Sequence, residues 1–380
     1  MKLITIIIIC FLLFQFLSCS DDSPTAPKPN LLISSEKHKP IEPSILIPWM
    51  EYFNIPGASI AVVENDSIDW AQGYGVADNN TQAPVTIETI FQAASISKPF
   101  AAVTSLSVFE EHKIDIDSNV NEILKSWKIP NNEYTNNSVI SLRLLLSHSA
   151  GFNVHGFGGY NQNSPLPQLL QILNGTAPAN NEPIKVTISP GTIFKYSGGG
   201  YQVVQQVLED LTKEEYPHLV QSIVFNKLGM ESSSFLYPID ANKIASGHTS
   251  QGNVIDGKWN RYPELCAAGL WTTPIDLARF VIGLQRSYRG SSNNLLSSQN
   301  SNEMFTAQRR IDDSEDSIGL GVILASSGQT FYFKHSGSNY GFQCYFFGYL
   351  NTKFGLVIMT NSDNGEKLVQ PLIDAVLEAY

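Results

Sequence analysis

The sequence predicts a mixed α/β fold of the α+β type, in which an antiparallel sheet is built from both ends of the chain. Near the amino end, β-rich segments at 58–63 and 68–74 are separated by a short polar turn, which is typical of a β-hairpin. Further β-rich segments follow one another between residues 317 and 360. Because helical patterns dominate between these regions, we expect one sheet flanked by helices, with a mostly helical domain inserted at roughly 105–310.

The first residues have the pattern of an export signal. Residues 1–18 comprise a basic start and a short apolar run, which is too short for a stable membrane span. The stretch 16–22 resembles a bacterial lipoprotein signal, in which Cys19 becomes the lipidated first residue. This resemblance implies an exported lipoprotein at the outer membrane or cell surface, with the periplasmic side as an alternative. Under ordinary signal cleavage, Cys19 is instead an incidental thiol.

Composition limits the remaining possibilities. Residues 19–40 contain Ser, Asp, Pro, Thr and Lys with little apolar content, so they are predicted to form a flexible tether before a folded domain at 41–380. The net charge of −11 argues against a nucleic-acid partner. Two distant cysteines, Cys266 and Cys344, are more typical of separate buried thiols than of a disulfide. The seven histidines have no metal-ligand spacing, so we expect neither a metal nor another cofactor.

Three helices are predicted in the first half of the domain. Residues 41–54 form a helix before the hairpin. A second helix begins at Ser95, because apolar residues then recur with helical spacing at Phe100, Val103, Leu106 and Phe109. A third helix covers 142–148, and Gly151 is placed as its carboxyl-terminal stop.

The carboxyl-terminal part predicts strands followed by one helix. The β-rich runs are joined by short turns, which indicates an antiparallel meander over 317–324, 330–334, 340–350 and 354–360. The closing helix has one predicted apolar stripe, formed by Val369, Leu372, Ile373, Val376 and Leu377.

The segment Ser95-Ile96-Ser97-Lys98 has a spacing that could serve nucleophilic chemistry. Residues three apart share a helix face, so the Lys98 amine can reach the Ser95 hydroxyl. A serine in the first helical turn also lies among unpaired backbone N–H groups at the positive end of the helix dipole. Such a position favours negative charge on an attacked carbonyl oxygen. The spacing alone is weak, because the same pattern recurs at Ser34-Ser35-Glu36-Lys37.

Three further segments strengthen this interpretation. Tyr196 lies on a loop just before a predicted helix. Lys334-His335-Ser336-Gly337 lies on or beside a predicted strand. Residues 267–278 form a loop that enters a helix capped by Thr273.

Together these ordered motifs resemble the serine β-lactamase and penicillin-binding-protein superfamily, in its class C β-lactamase-like branch. That branch includes DD-carboxypeptidases, D-aminopeptidases and esterases. Its pattern is Ser-x-x-Lys, then Tyr-x-Asn, then Lys- or His-x-Gly. The matching segments are Ser95-Ile96-Ser97-Lys98, Tyr196-Ser197-Gly198 and His335-Ser336-Gly337. The resemblance covers about residues 41–380 and implies a β-lactamase/transpeptidase-like fold.

The resemblance implies a catalytic set of Ser95, Lys98 and Tyr196. Ser95 would be the nucleophile that forms an acyl-enzyme, and Lys98 and Tyr196 would jointly handle its proton. Tyr196 would act as phenolate or as a proton relay. The backbone N–H groups of Ser95 and Ser338 would form the oxyanion hole.

The substrate site implied by the resemblance includes His335, Gly337 and Gly198. Two of these depart from the family pattern, since Gly198 replaces an Asn and His335 takes the place of a Lys. Both departures favour a DD-peptidase or esterase, acting on an ester or a peptide or amide, over an efficient β-lactamase. The alternative is a catalytically weak surface lipoprotein that binds a small-molecule or peptide ligand without turning it over.

Simpler interpretations stand beside each assignment. Ser95 and Lys98 could be ordinary residues at a helix start, Tyr196 a packed aromatic, and His335 a structural strand histidine. His148 ends a predicted helix and has no assigned chemistry, so it is interpreted as structural. A Ser-His-Asp hydrolase is disfavoured, because the sequence contains no Gly-x-Ser-x-Gly stretch.

Overall fold

The computed structural model describes residues 36–237, 240–291 and 295–380. Its largest element is a sheet of antiparallel strands, namely β1 (Gly57–Glu64), β2 (Ser67–Asp78), β3 (Ala83–Pro84), β6 (Arg309–Arg310), β7 (Ser317–Ile318), β8 (Ile323–Ser327), β9 (Thr330–Asn339), β10 (Phe342–Tyr349) and β11 (Gly355–Thr360). The strand order is β3-β2-β1-β11-β10-β9-β8-β7-β6. Strands from the two chain ends meet where β1 pairs with β11, which confirms the predicted fold class.

The hairpin of β1 and β2 is closed by a tight turn. Its two central residues, Asn65 and Asp66, have φ angles of 53° and 65°. Positive φ at both positions gives a type I′ turn, whose twist matches that of the flanking strands. The predicted hairpin is therefore confirmed, with its turn where the polar residues indicated.

Two terminal helices cover one face of the sheet. They are α1 (Pro43–Tyr52) and α12 (Glu366–Ala379), and an apolar cluster lies between them and the strands. The buried side chains of α12 are Leu368, Leu372, Ala375 and Val376. The predicted stripe was therefore rotated by about one position, because these residues have the i, i+4, i+7, i+8 spacing of one helix face.

Helices and loops cover the other face. The longest are α2 (Ser97–Glu111), α6 (Gly198–Thr212) and α10 (Pro274–Tyr288). Phe100 of α2 stacks on Phe280 of α10 with ring centroids 3.8 Å apart. The shorter elements are α3 (Val120–Ile123), α4 (Leu142–Leu146), α5 (Leu169–Asn174), α7 (Tyr216–Val220), a π-helical turn (Gln221–Phe225), α8 (Asn226–Leu228), a 3₁₀ turn (Ala241–Lys243), α9 (Leu265–Ala268) and α11 (Ser298–Met304).

A second, two-stranded sheet lies against residues 335–339 of β9. This part of the strand does not pair with β8 and is called its open half. It consists of β4 (Phe91–Ala94) and β5 (Leu270–Thr272). The pairing of β8 with β9 stops at Lys334, so the rest of β9 faces β4 instead. The approach is close, since a Cβ built on Gly337 would lie 2.1 Å from the Ala93 carbonyl oxygen. Only glycine fits at this position of the strand.

Several element boundaries differ from those predicted. The helix expected from Ser95 begins at Ser97, and the helix expected over 142–148 ends at Leu146, because His148 has a φ of 53°. The run at 317–324 contains two short strands. They are separated by a turn in which the Gly319 N–H donates to the Val322 carbonyl at 2.8 Å.

The predicted signal segment and Cys19 lie outside the described residues, and the domain boundaries stay predictions. Within 36–237, 240–291 and 295–380, no helix is both long enough and apolar enough to span a membrane.

Candidate active site

Ser95 lies on a strained turn between β4 and α2. The preceding residue, Ala94, has a φ of 51°, which is uncommon for a residue with a side chain. Ser97 holds the turn, because its Oγ donates to the Ala94 carbonyl at 2.6 Å and accepts from the Leu270 N–H at 3.0 Å. The half-buried Ser95 side chain is thereby fixed at the seam between the small sheet and the helices.

Lys98 is a buried amine beside the Ser95 hydroxyl. Its side chain is 2% exposed. Its Nζ donates to Ser95 Oγ at 3.0 Å and to the Ala267 carbonyl at 2.8 Å. Burial lowers the pKa of Lys98 to about 7, and the neighbouring Cys266 opposes this shift. The physical cause is that burial penalises the charged ammonium form.

Tyr196 lies close to the Lys98 amine, on the loop that leads into α6. Lys98 Nζ is 4.9 Å from the centre of the Tyr196 ring. Burial raises the pKa of Tyr196, and a side-chain hydrogen bond with Ser95 opposes the increase. The phenol is therefore protonated at neutral pH, which favours a proton relay over a standing phenolate.

The open half of β9 carries His335, Gly337 and Ser338. His335 is buried, and its Nδ1 donates to the Ser336 carbonyl at 2.6 Å. Burial, together with the charge of Lys98, lowers the pKa of His335 to about 3. At neutral pH His335 therefore offers a neutral imidazole rather than a positive charge. The exposed Ser338 is two residues beyond Ser336, and its Oγ accepts from Gln343 at 2.8 Å.

Polar side chains connect β9 to the elements around Ser95. Asn339 donates through Nδ2 to Gln92 Oε1 at 2.8 Å and to the Ala268 carbonyl at 3.2 Å. Gln92 in turn donates to the Asn260 carbonyl at 2.6 Å. The two Asn339 contacts hold β4 and the end of α9 against β9, and the Gln92 contact joins β4 to the loop at Asn260. Sequence reasoning did not single out Gln92 or Asn339, because lone amides carry no motif.

His148 packs its ring on that of Tyr196, a role that the sequence did not reveal. Its ring stacks on that of Tyr196 with centroids 4.2 Å apart. His148 Nδ1 accepts from the Ser197 N–H at 3.0 Å, and burial lowers the pKa of His148 well below its ordinary value. The imidazole is therefore neutral and fixes the loop that carries Tyr196. A lone histidine at a helix end gives no sequence signal for such a contact.

Gly198, the first residue of α6, lies against a neighbouring loop. Its N–H donates to the His155 carbonyl at 2.9 Å. The His155 ring lies 4.9 Å from the Tyr196 ring, measured between centroids. Burial, and then the charge of Lys98, lowers the pKa of His155. His155 was not among the residues that sequence reasoning selected.

In the described part of the chain, one group consists of side chains of the types that can bind a metal ion. His38, Glu64 and Asp69 offer ligand atoms that all lie within 4.8 Å of one another. His38 Nδ1 is 2.8 Å from Asp69, and Lys37 Nζ is 2.8 Å from Glu64. These contacts already pair the carboxylates with basic groups. The group belongs to the β1–β2 hairpin and the segment before α1, not to the elements that carry Ser95.

The arrangement around Ser95 has the parts needed for nucleophilic chemistry. The structure brings together Ser95, Lys98 and Tyr196, with the open edge of β9 opposite. A buried amine of lowered pKa can take a proton from a hydroxyl within hydrogen-bond reach. Backbone N–H groups on a turn and on a strand edge can stabilise an oxyanion that forms between them.

Comparison with known proteins identifies related sequences. Protein flp of Staphylococcus aureus (strain MRSA252) is 24% identical over 226 residues, which are 58% of this chain and 42% of that protein. Unguisins hydrolase ungD of Aspergillus violaceofuscus (strain CBS 115571) is 25% identical over 263 residues, which are 62% of this chain and 43% of that protein. The matches therefore span less than half the length of these curated relatives.

Solved structures share the fold. The octameric penicillin-binding protein homologue from Pyrococcus abyssi aligns with a TM-score of 0.74 at 21% identity, covering 88% of this chain and 76% of the homologue. The D-amino acid amidase from Ochrobactrum anthropi SV3, complexed with L-phenylalanine amide, aligns with a TM-score of 0.69 at 21% identity. That alignment covers 86% of this chain and 93% of the amidase. The family model described as Beta-lactamase matches residues 49–380, and the chain therefore belongs to the Beta-lactamase family.

Proposed function

We propose that this protein is a serine hydrolase that forms an acyl-enzyme on Ser95. The observation that carries the proposal is the 3.0 Å contact between Ser95 Oγ and the Nζ of Lys98. A serine hydroxyl is a weak nucleophile until a neighbouring base takes its proton. Because burial lowers the pKa of Lys98 to about 7, much of the amine is uncharged at neutral pH and available as that base.

Acylation follows from these positions. Ser95 Oγ attacks the substrate carbonyl carbon, and its proton passes to Lys98 Nζ. The oxyanion accepts hydrogen bonds from the backbone N–H groups of Ser95 and Ser338. When the tetrahedral intermediate collapses, the bond to the leaving group breaks. The leaving group takes the proton through the Tyr196 hydroxyl, and water then attacks the ester bond to Ser95 and releases the acid.

The proposed substrate is an ester or a small peptide or amide. Two relatives are named as an amidase and as a hydrolase, which supports this substrate class. A DD-peptidase or esterase is favoured over an efficient β-lactamase, since Gly198 supplies no side-chain amide and His335 no positive charge at neutral pH. The missing amide at Gly198 also supports the alternative of a protein that binds its ligand with little turnover.

Replacing the nucleophile tests the proposal. Ser95→Ala should lower the hydrolysis of a nitrophenyl ester by about a thousandfold or more, because it removes the attacking oxygen. Ser105→Ala is the matched control: Ser105 lies on α2, the helix that follows Ser95, and its hydroxyl donates to the Ala101 and Ala102 carbonyls of that helix. Equal ester turnover in the Ser95→Ala variant would contradict the assignment.

Intact-mass spectrometry with penicillin distinguishes the two candidate functions. A lasting adduct that requires Ser95 indicates a DD-peptidase-like enzyme. Ester turnover without an adduct indicates an esterase. Neither an adduct nor turnover in the wild-type protein indicates the binding protein instead.

We also propose that Cys19 is lipidated and attaches the exported protein to a membrane. The support is the signal-like sequence around Cys19. Cys19→Ala should move the protein from the membrane pellet to the supernatant, because the acyl chains would be lost. Cys10→Ala, within the apolar run, should leave the distribution unchanged. Sedimentation of the Cys19→Ala variant with membranes would refute the anchor.

A further inference from the structure

The loop 153–157 closes tightly over the start of α6. Gly198 and Gly199 donate their N–H groups to the His155 and Val154 carbonyls, at 2.9 Å and 3.0 Å. Ser197 Oγ donates to the Asn153 carbonyl at 2.6 Å. The loop and the segment that follows Tyr196 are therefore joined by backbone contacts at consecutive residues.

This approach leaves little room for a side chain at position 198. A Cβ on Gly198 would lie 3.0 Å from Phe157 Cε2 and 3.2 Å from the His155 carbonyl oxygen. Gly200, two residues further along α6, differs, since a Cβ there would have its nearest neighbours at 3.8 Å, an ordinary contact distance. The close packing is thus specific to the residues that meet the loop.

The loop is also strained where it presents His155. Val154 has a φ of 57°, and a β-branched residue rarely adopts this left-handed conformation. Strain of this kind persists only where surrounding contacts fix the backbone, and it concentrates at functional sites. The contacts that fix it are those with Ser197 and Gly199.

The strained loop places an imidazole on the Tyr196 ring. The His155 ring centroid is 4.9 Å from that of Tyr196, and the planes are tilted by 42°. The Tyr196 ring also stacks on that of His148, with centroids 4.2 Å apart. Two imidazoles therefore contact the Tyr196 ring, whose centre lies 4.9 Å from the Lys98 amine.

We propose that His155 is a positioning residue, which holds the Tyr196 ring against His148 so that its hydroxyl stays aligned with Ser95. Gly198 favours this arrangement, because a Cβ at this position would press against Phe157 and the His155 carbonyl. This inference rests on the proposed function of Ser95 and adds a device that no catalytic motif contains. A misplacement of a relay group by an ångström can cost about a hundredfold in rate.

The test compares variants of the full-length protein on p-nitrophenyl acetate, with Ser95→Ala as the inactive reference. His155→Ala should lower kcat roughly ten- to a hundredfold with little change in KM, because the relay is misaligned while binding is kept. His155→Phe should restore most of the rate, since a ring again packs on Tyr196. His155→Gln should behave like His155→Ala.

Substitutions at Gly198 and Gly200 supply the matched control. Gly198→Ala should lower kcat as His155→Ala does, whereas Gly200→Ala should not. The double variant His155→Ala, Gly198→Ala should be no slower than His155→Ala alone, because both changes act through one contact. If the losses of kcat in the two single variants multiply in the double variant, the proposal is overturned. Rescue by Gln instead of Phe, wild-type rates in every His155 variant, or a loss explained by a lower unfolding temperature would also overturn it.

A second readout does not depend on turnover. In a Ser95→Ala background, acetylation of Tyr196 by N-acetylimidazole, followed by peptide mass spectrometry, should be faster with His155→Ala and unchanged with His155→Phe. Equal labelling in all three proteins would overturn the positioning role even if the wild-type protein hydrolyses no ester. An inactive wild-type protein with the expected labelling would contradict only the proposed hydrolase function.

Discussion

At the scale of single residues, Lys98 is the group at the site whose charge changes closest to neutral pH. The pKa of its amine is lowered to about 7, whereas those of His148, His155 and His335 are lowered from their ordinary values and that of Tyr196 is raised. His148, His335 and Tyr196 therefore keep one charge state near pH 7 while Lys98 titrates.

This predicts a pH profile for the proposed hydrolase. The uncharged amine is the form that accepts the Ser95 proton, and it dominates above the pKa. We expect kcat/KM to fall about tenfold for each pH unit below about 7 and to level off above it. Lys98→Arg should be inactive throughout, since a guanidinium does not lose its proton in this range.

A second buried group provides the control for this profile. Burial raises the pKa of Glu264 to about 8, and Glu264 precedes the helix whose Ala267 carbonyl binds Lys98. Glu264→Gln removes that titration and should leave the limb near pH 7 in place. If the limb disappears in Glu264→Gln, Lys98 is not the group that controls it.

The sequence predicted the residues whose chemistry has a fixed spacing. Ser95 and Lys98 are three positions apart, and Tyr196 and His335 belong to short motifs in a known order. It did not predict the contacts of His148 and His155 with Tyr196. Those contacts depend on left-handed backbone at His148 and Val154, which no local pattern of non-glycine residues indicates.

At the scale of elements, the rotated face of α12 makes a stability prediction. Leu372 is fully buried, whereas Leu377 is 37% exposed, although both belonged to the predicted stripe. Leu372→Ala should lower the free energy of unfolding by about 2–5 kcal/mol through lost burial and a cavity. Leu377→Ala should change it by less than about 1 kcal/mol.

Urea unfolding of both variants measures this difference. A larger loss for Leu377→Ala would mean that α12 packs with the face that the sequence stripe indicated. The stripe was misplaced because Val369 and Ile373 are apolar but only partly buried, while the small Ala375 is buried. Hydrophobicity alone does not rank such positions.

At the scale of the whole molecule, the sheet built from both chain ends was predictable because β-rich segments occur only near those ends. The open half of β9 was not predictable from the sequence. It forms because β8 pairs with β9 only as far as Lys334 and β4 packs against the remaining half, which is a property of tertiary packing. Close approaches at Gly337 and Gly198 are likewise visible only when two segments are placed together.

The described domain holds together without a disulfide. Cys266 and Cys344 are both buried and form no disulfide, which is the alternative that the sequence favoured. Burial raises the pKa of each thiol, which makes reactive thiolates scarce. We therefore expect the unfolding temperature to be the same with and without a reducing agent. A drop of several degrees under reduction would indicate a cross-link.

The central pairing of β1 with β11 has a consequence for the biosynthesis of the molecule. Ile60 lies opposite Ile358, so β1 pairs with a strand that is translated about 300 residues later. Pairing over such a sequence separation is slow, because a long loop must close first. A nascent chain therefore carries Ser95 and Lys98 well before it contains the strand that completes their surroundings. The nucleophile acquires its full environment only after β9, β10 and β11 have all been translated.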